Sequence, residues 1–217
     1  SFVAVSSTVP VAGAEVTLKA VSGLVRNNPL TESFLANYVK PVNKACKGVV
    51  QINYVGGPEI VPPRNSGKAI ASGEFDMLNG PTSYYIGTMP EGYAMLASNV
   101  PIEELHKNGG YDLLDSIYQK RVNAKFVAWG DNDVGYYTYL RNQPKLDKDG
   151  VPDLHGLKMR ATGTYQPFFN ALGASTINMP ETEIYTALQR GVVDGFGWPV
   201  AGVPELGLDK LIKYVIH

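Results

Sequence analysis

The chain has 217 residues, 44% of them hydrophobic, so it can bury one large core or two modest ones. Nineteen lysines and arginines nearly balance twenty aspartates and glutamates, and the formal net charge is -1. This balance gives no strong global field to attract nucleic acid or an anionic membrane, so we expect no nucleic-acid partner. Cys46 is the only cysteine, which excludes an intramolecular disulfide and a cysteine-based zinc site.

The first 14 residues, SFVAVSSTVPVAGA, carry no charge and end in Ala12-Gly13-Ala14. This pattern is typical of the end of a secretory signal peptide, where a small-residue cleavage site follows an apolar region. The alternative is a flexible or strand-forming tail. We predict a signal-peptide remnant at 1–14 and therefore an exported protein. No run of about 20 apolar residues, the length that spans a bilayer, follows in the sequence.

Residues 15–123 alternate short apolar runs with helical patterns. VTLKAVSG, GVVQINYV and EFDMLNG are predicted strands, because apolar residues alternate or cluster between turn residues. NPLTESFLANYVKPVNKAC is a predicted helix with Thr31 as its N-cap and a kink or interruption at Pro41. NSGKAIASG predicts a short helix, and 101–121 predicts helix with a Gly-Gly break. This order of elements predicts a parallel, doubly wound unit.

Residues 124–217 show the same alternation of predicted strands and helices. AKFVAWGDNDVGYYTYL predicts two β runs, 124–129 and 135–140, joined by a turn at GDND. GLKMRAT, STINM and VVDGFGW are predicted strands, and the segments between them are predicted helices. The sequence therefore predicts an α/β protein with two lobes, 15–123 and 124–217, each with a doubly wound sheet. We expect the chain to cross between the lobes near 124–141.

Motifs that indicate an enzyme are absent. The chain has no Gly-rich phosphate loop, no G-x-S-x-G elbow and no H-E-x-x-H sequence. Its three histidines, His106, His155 and His217, lie in unrelated contexts, and we interpret them as solvated side chains. We therefore expect no catalytic residue, no cofactor and no metal site.

Polar and aromatic residues recur just past the predicted strands, where ligands bind in open α/β sheets. Arg160 ends GLKMR, Arg141 follows YYTYL, and Trp198 follows VVDGFG. A guanidinium offers a two-pronged fork to a carboxylate, and aromatic faces cover the apolar part of a solute. We therefore expect a cleft for a small anionic solute. Its predicted ligand-binding residues are Asn27, Ser83, Tyr84, Tyr136, Arg141, Arg160, Thr162 and Trp198.

Structural roles are the alternatives for several of these residues. Arg141 can be a surface residue of the turn RNQPK, and Trp198 can be a core residue. Consecutive side chains on a strand point to opposite faces, so at most one of Tyr84 and Tyr85 is expected to reach the cleft. Arg160 can form an internal salt bridge, for which the candidate partners are Asp153, Glu181 and Glu183.

The stretch DLHGLKMRATGTYQPFFNALGASTINMPETEIYTALQRGVVDGFGWP, residues 153–199, resembles the extracytoplasmic solute receptors of TRAP transporters, the DctP-type binding proteins. Weaker similarity extends back through ASGEFDML to VTLKAVSG. The resemblance implies a two-lobed, hinge-closing, periplasmic-binding-protein-like receptor in the periplasm. It further implies that the receptor captures a small organic acid and delivers it to membrane subunits of a TRAP transporter. On this resemblance Arg160 holds the ligand carboxylate and Arg141 assists it.

Two departures from the family pattern bear on the site and on the extent of the chain. Members that hold a cation use a glutamate after VDG, whereas this chain has Phe196-Gly197-Trp198. The resemblance therefore implies an aromatic wall at Trp198 in place of a cation site. Such receptors continue past the position of His217 with a hinge segment, which we expect this chain to lack. The alternatives are an α/β enzyme acting on a carboxylic acid and the binding protein of an ABC importer.

Overall fold

The computed structural model describes residues 15–130 and 134–217, and the predicted signal-peptide remnant at 1–14 lies outside this part. In chain order the strands are β1 (Val16–Ser22), β2 (Val50–Gly56), β3 (Met77–Asn79), β4 (Tyr136–Leu140), β5 (Lys145–Leu146), β6 (Pro152–Asp153), β7 (Lys158–Arg160), β8 (Ser175–Ile177), β9 (Gly195–Pro199) and β10 (Tyr214–Ile216). The α-helices are α1 (Pro29–Phe34), α2 (Lys40–Ala45), α3 (Ser66–Ala71), α4 (Gly92–Ala97), α5 (Ile102–Lys107), α6 (Gly110–Val122), α7 (Gln166–Ala171) and α8 (Glu181–Gln189). Short 3-10 helices cover Pro63–Asn65, Thr82–Tyr85 and Leu208–Leu211, and a π-helical stretch covers Leu35–Val39. No helix among the described residues has the length and apolar character needed to cross a membrane.

The first lobe, with β1 to β3 and α1 to α6, is built on a parallel sheet of order β2-β1-β3. Consecutive residues of the central strand β1 enter different cores, because side chains alternate across a strand. Ala20 packs with residues of the helical segment 29–45, and Val21 packs with residues of α3. The predicted doubly wound arrangement is therefore confirmed for this lobe.

The second lobe, from β4 onward, has a sheet of order β10-β4-β9-β7-β8. Strands β8, β7 and β9 are parallel and doubly wound, as predicted, with α7 and α8 in their connections. Strand β4 is antiparallel to β9, and β10 is antiparallel to β4, so the sheet as a whole is mixed. The sequence pattern did not indicate this reversal, because strand direction depends on pairing with distant segments.

The predicted strand at 124–129 is wrong, because the structure has no regular element there. Side chains of α6 bind this segment in place of a neighbouring strand. The Phe126 N–H donates to Asp115 Oδ1 at 2.8 Å, and the Tyr111 hydroxyl donates to the Val127 carbonyl at 2.6 Å. The Phe126 ring also stacks on Tyr118, with 4.8 Å between centroids. The GDND turn falls partly outside the described residues, and the β run predicted at 135–140 is β4.

The N-cap prediction for the first helix is wrong by three residues. Asn28 caps α1, with its Oδ1 accepting from the Leu30 N–H at 3.0 Å. Thr31 is buried within the first turn, where its hydroxyl hydrogen-bonds with the Ser22 hydroxyl at 2.9 Å. The interruption expected at Pro41 takes the form of the π-helical stretch that precedes it, and such stretches occur mostly as single turns inside α-helices.

Candidate functional site

A cavity of about 70 Å³ lies between the two lobes. The first lobe contributes Ser83 and Tyr84, which lie on the 3-10 helix that follows β3. The second lobe contributes Arg160, Trp198 and further residues from the ends of its strands. The cavity thus lies outside the carboxyl ends of parallel strands, where α/β sheets bind their ligands.

Strand register brings the second-lobe residues together. Arg160 is the last residue of β7 and pairs with Phe196 of β9, so the two side chains share one face of the sheet. Trp198 lies two residues farther along β9 and therefore points to the same face. Tyr136 reaches the same end of the sheet because β4 runs antiparallel to β9 and Tyr136 pairs with Pro199.

Arg160 is almost fully buried, with 1% of its surface exposed. Its Nε donates to the Met179 carbonyl at 3.1 Å, and its guanidinium carbon lies 5.2 Å from the centre of the Trp198 ring. Its Nη2 has no hydrogen-bond partner among the described residues. None of the ion pairs within the described ranges involves Arg160, so the internal salt bridge considered from the sequence is not formed. The Arg160 guanidinium therefore has a terminal nitrogen, Nη2, that donates to no described residue.

Burial lowers the pKa of the Arg160 guanidinium, and the neighbouring Tyr84, Glu181 and Tyr165 act in the opposite direction. An arginine nevertheless stays protonated in proteins, so the cavity contains a fixed positive charge. Burial also raises the pKa of Tyr84 to about 12, although Arg160 opposes this effect. Burial raises the pKa of Tyr165 as well. Both phenols are therefore neutral hydrogen-bond donors at neutral pH.

Two further hydroxyls at the cavity have no partner among the described residues. These are the Thr164 Oγ1 and the Tyr165 hydroxyl, both buried. Buried polar atoms in native proteins are usually hydrogen-bonded, and an unsatisfied one costs about 1–3 kcal/mol. With Arg160 Nη2, these atoms form a group of donors that an anionic ligand with several oxygens can satisfy.

Aromatic rings form the walls around these donors. The Tyr165 ring stacks on Phe169 and meets the Tyr136 ring edge-on, with centroid distances of 5.5 Å and 6.2 Å. Gly197 is essential to this packing, because a β-carbon built there would overlap the Tyr165 ring. Trp198 is 4% exposed and belongs to the core under α8, while its ring also faces Arg160. Trp198 is therefore a core residue that also lies beside Arg160 at the cavity, and its contact with a ligand stays a prediction.

Six of the eight predicted residues line the cavity: Ser83, Tyr84, Tyr136, Arg160, Thr162 and Trp198. Tyr84 reaches it whereas Tyr85 is buried in a first-lobe core, as expected for one residue of the pair. Thr164 and Tyr165 were missed, although they follow the same GLKMR strand as Thr162.

The structure does not bring Asn27 or Arg141 to the cavity. Asn27 is exposed, and its neighbour Asn28 is the buried residue that bonds across the lobes. Arg141 follows Leu140, which pairs with Gly195 at the start of β9. Arg141 therefore lies at the opposite end of the strands from the cavity. Its placement from the sequence is wrong because β4 runs antiparallel to the strands that carry Arg160 and Trp198.

Comparison with known proteins identifies the family. Residues 22–217 match the model of the bacterial extracellular solute-binding proteins, family 7, also called DctP. The chain belongs to this family. The family consists of binding proteins and not enzymes, which agrees with the absence of catalytic motifs from the sequence. The resemblance drawn from GLKMR to GVVDG is confirmed.

Three relatives of this family 7 chain are each at most 28% identical to it, and all three are binding proteins. A monocarboxylate 2-oxoacid-binding periplasmic protein of Nostoc sp. is 28% identical over 187 residues, which are 82% of this chain and 50% of that protein. A TRAP periplasmic solute-binding protein of Pseudoalteromonas atlantica, solved with sodium and pyruvate, has a TM-score of 0.75 at 22% identity; the match covers 93% of this chain and 62% of that one. One from Ralstonia eutropha, solved with (S)-2-acetolactate, has a TM-score of 0.74 at 21% identity and corresponding coverages of 92% and 65%. The predicted two-lobed α/β fold is confirmed, and the chain spans half the length of the Nostoc relative.

Proposed function

We propose that this chain captures a small organic acid outside the cytoplasmic membrane and delivers it to the membrane subunits of a TRAP transporter. Its membership of family 7 supports this proposal. The matching solved structures named above hold pyruvate and 2-acetolactate, and another, from Desulfovibrio salexigens, holds orotic acid. All three ligands are carboxylic acids, although the sequence identities are low.

The proposal rests on the burial of Arg160 and on its Nη2, which has no hydrogen-bond partner among the described residues. A buried cation without a paired anion is costly, because desolvation is not offset by Coulomb attraction. Arg160 nevertheless presents a free Nη2 at a cavity between two lobes. A ligand carboxylate would accept hydrogen bonds from the guanidinium, and the Thr164 and Tyr165 hydroxyls would bind its remaining oxygens. The Trp198 and Tyr136 rings would cover its carbon atoms.

Binding can be tested with pyruvate, 2-acetolactate, orotate, 3-hydroxybenzoate and galacturonate, all of which occur in related structures. A thermal-shift screen of the purified protein would find the acids that bind, and calorimetry would give their affinities. Arg160→Ala should weaken binding at least about a hundredfold, because a charged hydrogen-bond fork is lost. Arg160→Lys should also bind weakly, since a point charge does not reproduce the fork.

Arg190→Ala is the matched control, because Arg190 is exposed at the end of α8. It should bind with wild-type affinity. Equal affinities of wild type and Arg160→Ala would refute the proposed role of Arg160, and conversion of the acid to a product would favour an enzyme. Uptake by membranes that contain the TRAP subunits, measured with and without this protein, tests the proposed partners. Cell fractionation tests the proposed periplasmic location.

A further inference from the structure

Glu181 is a buried acid of the second lobe that the proposed carboxylate contacts do not use. It is the first residue of α8 and is 5% exposed. Its Oε1 accepts a hydrogen bond from Asn28 Nδ2 of the first lobe at 3.3 Å. Its Oε2 is buried and has no hydrogen-bond partner among the described residues.

The Asn28 side chain is held in one orientation. Its Oδ1 accepts from the Leu30 N–H as the N-cap of α1, so its Nδ2 is the end available to Glu181. Asn28 itself is 1% exposed. Glu181 is therefore fixed at the contact between the lobes by a partner that cannot neutralise its charge, since an amide carries none.

Two ionisable groups of the described residues face Glu181. Arg160 of β7 interacts with it electrostatically but forms no ion pair with it, and Tyr84 of the first lobe is also coupled to it. Burial raises the pKa of Glu181, opposed by the Asn28 amide, the Arg160 guanidinium and the Val25 backbone N–H. The positive charge of Arg160 therefore attracts both Glu181 and any anion that enters the cavity.

A carboxylate bound to Arg160 places a second negative charge beside the same buried cation. Like charges in a water-excluded site disfavour double ionisation, so one of the two acids takes up a proton. The ligand carboxylate is bound by the charged guanidinium and the hydroxyls, whereas Glu181 has the neutral N–H groups of the Asn28 amide and the Val25 backbone, and its Oε2 has no hydrogen-bond partner among the described residues. The proton is therefore expected on Glu181, where Oε2–H becomes a donor.

This inference rests on the proposed function. We propose that Glu181 is the proton acceptor of the site: the site takes a monocarboxylate and binds it together with one proton from solvent that protonates Glu181, and its single cation, Arg160, discriminates against dicarboxylates. A dianion would bring two negative charges to a site whose fixed charge is the single guanidinium of Arg160. Proton uptake can offset only one of them.

The sign of the pH dependence follows from linkage. Ligand binding raises the pKa of Glu181, so the complex binds more protons than the free protein and affinity rises as pH falls. Arg160 stays charged and Tyr84, with a pKa of about 12, stays neutral between pH 6 and pH 8. Of the three, Glu181 is therefore the group whose protonation responds to the ligand.

Calorimetry at pH 6, 7 and 8, in buffers of different ionisation enthalpy, tests the proposal with every acid of the panel that binds. We expect uptake of close to one proton and an affinity gain of up to about tenfold per pH unit. Glu181→Gln should bind at pH 8 more tightly than wild type does at pH 8, with little dependence on pH and no proton uptake. Glu183→Gln, an exposed neighbour on the same helix, should keep the wild-type profile.

Charge selectivity gives a second readout. Butyrate should bind wild type at least about tenfold more tightly than succinate, and Glu181→Gln should keep this ratio while binding both more tightly at pH 8, because protonated Glu181 and glutamine leave the same single cation. If acids bind with no pH dependence and no proton uptake, this inference is overturned while the proposed function stands. A folded Glu181→Gln variant that no longer binds would also overturn it, because the carboxylate would then be a direct contact. If no acid binds wild type, the proposed function and this inference fall together.

Discussion

Gly197→Ala tests whether the Tyr165 ring is the wall of the cavity. The three atoms nearest to a β-carbon built on Gly197 are ring carbons of Tyr165, all well under 3.0 Å away. Real side chains do not tolerate such contacts, and Gly197 cannot retreat because it pairs with Thr138 in the middle of the β4–β9 ladder. The ring must therefore move away from Phe169, on which it stacks.

The cost of this displacement can be estimated from two parts. Overpacking a buried site costs about 1–3 kcal/mol, and losing an aromatic stack costs about 0.5–1.5 kcal/mol. A loss of about 2 kcal/mol should lower the Tm by roughly 4–8 °C for a chain of this size. The Tyr165 hydroxyl would also leave the cavity, so affinity for the acids that bind should fall by about tenfold.

Urea unfolding and calorimetry measure the two effects separately. Gly87→Ala is the matched control, because a β-carbon there meets no atom within 4 Å. It should change the free energy of unfolding by no more than about 0.5 kcal/mol. If Gly197→Ala is as stable as this control and binds acids like wild type, the assignment of Tyr165 as the wall is refuted.

Three further substitutions test other parts of the site. Asn28→Ala should lower the free energy of unfolding by about 2 kcal/mol in urea titrations, because it removes a helix cap and the partner of a buried carboxylate; equal loss in the exposed Asn27→Ala would contradict this. Arg141→Ala should leave the ligand affinity measured by calorimetry unchanged, and a tenfold loss of affinity would show that Arg141 contributes to the site. Thr164→Val should weaken binding about fivefold to tenfold without lowering the Tm, since its hydroxyl has no hydrogen-bond partner among the described residues; a lower Tm with unchanged affinity would count against its role.

Local patterns were enough to predict most of the fold. The strands and helices that follow one another in both lobes have clear hydrophobic periods and end at glycine or proline. The position of Arg160 at the cavity was also accessible from sequence, because GLKMR is a short predicted strand that ends at Arg160 and ligands bind past the carboxyl ends of such strands. These features depend on residues within a few positions of each other.

The errors share a different origin. The direction of β4, and with it the position of Arg141, depends on pairing with β9 some sixty residues later in the chain. The choice of Asn28 over Asn27 depends on which side chain can cap α1 and also reach Glu181 of the other lobe. Neither pairing leaves a periodic trace in a single sequence, so long-range contacts were needed to place them.

The structure of the site also explains why a residue as costly as a buried arginine is placed there. A fold selected for stability alone would pair Arg160 with a carboxylate or replace it by an apolar side chain, which is often neutral or stabilising. Here the nearest buried acid, Glu181, is held by Asn28 at a distance that forms no ion pair. The guanidinium is thus oriented by Met179, Trp198 and Tyr84, yet its Nη2 has no hydrogen-bond partner among the described residues. Under the proposed function, an anion that enters the cavity would complete this hydrogen-bond network, and the energy of that completion would be available to hold the two lobes together around the ligand.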